Sequence, residues 1–161
     1  MKRVVLALGV ALVLAAPGVR AQGPNFGGMW KLNAAKSSPN ITGNTPNIAF
    51  PSSLEVTQAG MALHVLATSV RQAPVTANYK LDGTMVPVEA PKGITETGAA
   101  KLDGQTLVIT TKRSFTSPLG ETVINFKEVW TVTGGNTLTI EKTRIEGSGE
   151  TSTEKAVYDK A

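Results

Sequence analysis

The chain has 161 residues, with 16 Lys and Arg, 12 Asp and Glu, one His and no Cys. The missing cysteine excludes disulfides, thiolate nucleophiles and thiolate metal sites, and with them the acylated cysteine on which a bacterial lipoprotein signal ends. Lys2, Arg3 and Arg20 stand within the first 21 residues, so thirteen basic side chains remain against twelve acidic ones, scattered from Lys31 to Lys160; that offers no basic face for nucleic acid.

Lys2 and Arg3 precede an apolar run from Val4 to Ala16, followed by Pro17, Gly18 and the small-residue pattern Val19-Arg20-Ala21. A charged start, a short apolar stretch and an A-x-A-like site in that order read as a secretory signal cleaved after Ala21. The run is shorter than the roughly 17 to 25 residues a membrane-spanning helix needs. The expectation is a periplasmic or secreted mature chain from Gln22, of one domain, monomeric and without an integral membrane span.

Phe26 to Asn33 reads as a first strand through Gly27, Gly28 and Trp30. From Ala34 to Ser53 the chain is rich in Ser, Pro, Asn, Thr and Gly, with Pro39, Pro46 and Pro51 barring a long helix. A connection of that length is a candidate functional loop. Asn40-Ile41-Thr42 matches the glycosylation acceptor pattern, which a bacterial export signal makes irrelevant.

Beyond it, β-branched runs alternate with turn signals such as Asp82-Gly83, Asp103-Gly104 and Gly134-Gly135-Asn136. They predict strands near 54–59, 61–70, 74–82, 85–89, 94–102, 105–115, 121–133, 137–146 and 151–159, eight to ten in all with the first. Alternation puts Val75, Ala77, Tyr79 and Leu81 on one face, and Ile124, Phe126, Trp130 and Val132 on another. Sequential hairpins with one apolar face must hide that face and both edges. An all-β, up-and-down antiparallel barrel does so, with a two-layer sandwich as the alternative. A membrane barrel would need aromatic girdles that this chain, poor in aromatics, does not supply.

The segment Phe26-Gly27-Gly28-Met29-Trp30-Lys31-Leu32-Asn33-Ala34-Ala35-Lys36-Ser37 resembles the G-x-W opening of the calycin group, the lipocalins and fatty-acid-binding proteins. It is more closely similar to the G-x-W-K-L-N-x-x-K-S opening of small exported bacterial proteins described as lipocalin-like. Ala156-Val157-Tyr158-Asp159-Lys160 is similar to the closing strand of both groups. The resemblance implies a barrel in which Gly28 permits close approach, Trp30 plugs one end, and a late basic side chain packs across its ring. Arg144 is the first candidate for that cation and Lys155 the second. Where many fatty-acid-binding proteins carry an Arg-x-Tyr carboxylate clamp, this chain has Ala156 and Tyr158, so the clamp does not carry over.

Alternation also directs charges inward. Glu128 falls between Phe126 and Trp130, Arg113 aligns with Leu107 and Ile109, Lys142 and Arg144 with Leu138 and Ile140, and Glu96 with Ile94 and Leu102. Buried charges persist only when paired or completed by a ligand. Either these groups polarise a largely apolar cavity, or they lie past the strand ends in solvent. On the first reading Glu128, Arg113, Trp130, Phe126 and Tyr79 are ligand-binding candidates for a small hydrophobic molecule. His64, flanked by Leu63 and Val65, has no second His or Cys to act with and reads as an outward or rim residue. No nucleophile elbow, phosphate loop or zinc spacing occurs, so neither a catalytic site nor a cofactor is implied. The rival reading is an interaction or inhibitor-like module that presents its 38–53 loop, and a solid lumen would favour it.

Overall fold

The computed structural model describes residues 23–38, 50–70, 72–118 and 120–161. The signal, its cleavage site, Asn40-Ile41-Thr42 and most of the 38–53 loop lie outside those residues.

Ten antiparallel strands follow one another: β1 (Gly28–Leu32), β2 (Ser53–Ala59), β3 (Ala62–Thr68), β4 (Val75–Lys80), β5 (Val86–Val88), β6 (Ile94–Asp103), β7 (Thr106–Ser117), β8 (Gly120–Thr133), β9 (Thr137–Glu146) and β10 (Thr151–Lys160). Except across β4 and β5, each pairs with its sequence neighbours, and β1 also pairs with β10. That last pairing makes a single continuous sheet, which sets the two-layer sandwich aside. The fold is a nearly closed up-and-down barrel.

The seam lies between β4 and β5. Asp82 forms a bridge with Lys101, the Gly83 N–H donates to the Ala100 carbonyl at 2.9 Å, and the Thr76 N–H donates to the Glu89 carboxylate at 3.0 Å. Tyr79 of β4 packs on Gly98 of β6, where a Cβ would stand 2.9 Å from the ring. The absence of a side chain there is what lets the tyrosine fill the gap in the ladder.

One end of the barrel is closed. Phe26, Trp30, Leu63, Leu107 and Leu138 are fully buried there. The Trp30 indole donates to the Phe26 carbonyl at 2.9 Å, and Gln58 holds the lead-in by accepting from the Phe26 N–H and donating to the Pro24 carbonyl. The cation over the Trp30 ring is Lys160, with Nζ 5.2 Å from the centroid. This corrects the assignment to Arg144. Arg144 has the inward parity but stands opposite Ser152, whereas Lys160 stands opposite Trp30, so the two lie near opposite ends of β10. That is eight residues, about 27 Å of antiparallel strand. Lys155 is exposed on the outer face opposite Glu141.

The segment read as pure loop after Asn33 begins with a 3-10 turn, Ala34–Lys36, capped by the Asn33 side chain. Here the remainder of the opening motif continues β1 by side-chain contacts. Asn33 Nδ2 donates to Asp159 at 2.6 Å, and Lys36 pairs with the same carboxylate at 3.1 Å. Ser37 and Ser38 hydroxyls accept the N–H groups of Val157 and Lys155, each at 2.9 Å. The Asn33 hydrogen bond, with that of Lys36 second, holds the Asp159 carboxyl below the usual range.

Candidate functional site

The lumen is hollow above the plug, with a cavity of about 420 Å³. Its apolar wall comes from every second residue of the central strands: Leu54 of β2, Val65 of β3, Ala77 of β4, Ile109 of β7 and Ile140 of β9. Trp130 and Tyr79 lie deeper, and Phe126, Ile124, Phe50 and Pro51 complete the wall. Substantial β-branched and aromatic side chains on two-residue spacing account for the strands, while small ones such as Ala67 and Ala77 leave the space.

All five ligand-binding candidates, Glu128, Arg113, Trp130, Phe126 and Tyr79, line this one cavity, together with Glu96, Lys142 and Arg144. The charges are in the wall and are paired within the sheet. Glu96 stands opposite Arg113 in the β6–β7 ladder, and Arg113 Nε lies 2.6 Å from the Glu96 carboxylate. Glu128 stands opposite Lys142 in the β8–β9 ladder, with Lys142 Nζ 2.9 Å from Oε1. Its other oxygen accepts from the Trp130 indole N–H at 2.8 Å, so the pair and the ring orient each other. Arg144 pairs with Glu146 at 3.1 Å.

Phe126 is the aromatic centre of this arrangement. Lys142 Nζ is 4.9 Å from its centroid and the Arg113 guanidinium 5.6 Å, while Lys142 also lies 6.0 Å from Phe50. Cations over ring faces offset part of their desolvation. Burial, and then the charges of Glu128 and Glu96, push the Tyr79 hydroxyl well above its ordinary range, against a hydrogen bond with Thr111. Tyr158 is pushed up likewise by burial and by Glu128, and donates to the Pro51 carbonyl at 2.9 Å. Its hydroxyl therefore ties down the chain just before β2.

Sequence reasoning missed Lys160, Phe50 and the Tyr79–Thr111 contact. Phe50 sits in an irregular segment with no period to read, and the other two depend on which strands become neighbours around the ring. His64 is exposed on the outer face, with Nδ1 2.7 Å from the Asn78 side-chain oxygen. Among the described residues no group of His, Asp and Glu is arranged to hold a metal ion.

No family model matches this chain, and no curated protein matches it. Among solved structures it is similar to the fluorescent protein UnaG, seen in the crystal structure of a point mutant. The identity is 18%, the TM-score 0.52, and the match covers 84% of this chain and 96% of that one. The likeness is one of fold, an antiparallel β-barrel.

Proposed function

We propose that this chain is a non-catalytic, exported barrel protein that binds a small, largely apolar molecule in its lumen. The observation that carries the reading is the cavity of about 420 Å³ between the Trp30 plug and the Phe126 rim. It lies within the size range of small-molecule sites, which combine an apolar wall with a few placed polar groups. A barrel that served only as a rigid support for a recognition loop would gain stability from a filled core.

Among the described residues of the lumen, Glu96 and Glu128 are engaged with Arg113 and Lys142, and His64 is exposed on the outer face. These pairings support reading the lumen as a binding site. Export rests on the charged start, the apolar run and the Val19-Arg20-Ala21 site.

Native mass spectrometry of the full chain expressed in a bacterium with a periplasm tests both parts. The expected spectrum shows a processed chain beginning at Gln22, with an adduct that organic extraction removes. The extracted protein is expected to take up the uncharged dye Nile red with a rise in fluorescence, and to lose that uptake in Ala77→Trp, which fills the cavity. A chain that carries no adduct and takes up no dye would overturn the binding reading; an unprocessed cytosolic chain would overturn export.

A further inference from the structure

We infer that the lumen selects an uncharged amphiphile, such as an alcohol, ketone or amide, over the corresponding carboxylate. This rests on the reading of the lumen as a ligand site and adds the class of ligand.

The argument is one of charge balance. Among the described residues three cations line the cavity, and each already carries a carboxylate of the protein: Arg113 with Glu96 at 2.6 Å, Lys142 with Glu128 at 2.9 Å, Arg144 with Glu146 at 3.1 Å. Glu128 has both oxygens in use, one on Lys142 and the other on the Trp130 indole. The ammonium of Lys142 is further covered by Phe126 and Phe50. Glu154 adds another acid on the inward face of β10, in register with Lys142 and two residues before the buried Ala156; its buried Oε2 has no hydrogen-bond partner among the described residues.

A ligand carboxylate entering this wall has to share a cation with a resident glutamate. Two carboxylates then stand close together on one positive charge in a poorly solvated place, and their repulsion offsets what the new contact returns. An uncharged ligand breaks no pair. Its hydroxyl or N–H can donate to the lone pairs left on the resident carboxylates, and its acceptor can take the Tyr79 or Thr111 hydroxyl, while the chain lies on Ile109, Ile140 and Trp130.

Competition for bound Nile red by decanol and by decanoate at neutral pH provides the test. Decanol is the more apolar of the two in any site, so the decisive quantity is how the ratio of their competing concentrations changes in Glu128→Gln and Glu96→Gln. Each substitution keeps the shape and frees a cation. The expected result is that wild type prefers decanol and that each variant shifts the ratio toward decanoate by about tenfold. Glu146→Gln at the exposed edge does the same for Arg144 and serves where an inner variant does not fold. A wild type that prefers decanoate, or folded variants whose ratio is unchanged, overturns the inference while leaving the lumen a binding site. Failure of Nile red to bind at all overturns the binding reading itself.

Discussion

Lys160 and Trp30 face each other across the β1–β10 ladder, and the lysine ammonium lies 5.2 Å from the centre of the indole. Gly28 makes room for this. Its φ is +139°, and a Cβ there would come within 2.8 Å of Lys160 Cε. The G-x-W pair and the penultimate residue of the chain thus form one unit that seals the closed end.

Gly28→Ala is expected to lower stability by about 1–3 kcal/mol, because the backbone conformation is strained for any residue with a side chain. Lys160→Ala is expected to cost about 0.5–1 kcal/mol, the range of an exposed cation–π contact. The lysine can swing away from an alanine methyl, so the double variant should cost less than the two singles together. Urea midpoints of the four proteins check this.

The seam gives a second expectation. Gly98→Ala drives a methyl into the Tyr79 ring, a rigid neighbour, and should cost about 1–3 kcal/mol as overpacking. Gly147→Ala, at a hairpin glycine with open space around it and no left-handed φ, should stay within about 0.5 kcal/mol of wild type. Thermal melts distinguish the two.

Tyr79 and Tyr158 are the only tyrosines, and both are held protonated by burial and by Glu128. Their folded values lie above the unfolded one, so the stability they contribute is complete below the unfolded value of about 10 and is lost as pH rises beyond it. The expected slope is about 1.4 kcal/mol per pH unit for each tyrosine, and each Tyr→Phe variant should remove one share. Phenolate absorbance should be missing from the native protein at pH values where the urea-unfolded chain already shows it.

The Glu128–Lys142 pair retains a little solvent, with side chains 17% and 19% exposed. Lys142→Met strands the carboxylate and is expected to cost about 2 kcal/mol, less than for a fully buried pair. Adding Glu128→Gln should restore part of that, since the amide oxygen still accepts from Trp130 and no lone charge is left. Denaturant titration followed by Trp fluorescence reads both effects, because the Trp130 indole reports on its acceptor.

Two-residue alternation made the barrel and the inward parity of Glu96, Arg113, Glu128, Lys142 and Arg144 legible from the chain, since a strand's side chains must fall alternately on its two faces. The same rule says nothing about height along the barrel axis. That is why Arg144 was a reasonable but incorrect partner for Trp30. Height follows from register, and register follows from where hairpins turn and from which strands close the ring.

By itself, the sequence determined the strand succession, the face each side chain takes and the closed end's Gly28 and Trp30, because these depend on local spacing and on the size of single residues. The tertiary structure decided what no local pattern encodes: that Lys160 is the sealing cation, that Asn33, Lys36 and Ser37 clamp β10, that Gly98 admits Tyr79 at the seam, and that the lumen is hollow. Each depends on two segments far apart in the chain meeting at one height, and on whether the inward side chains together fill the space the ring of strands encloses.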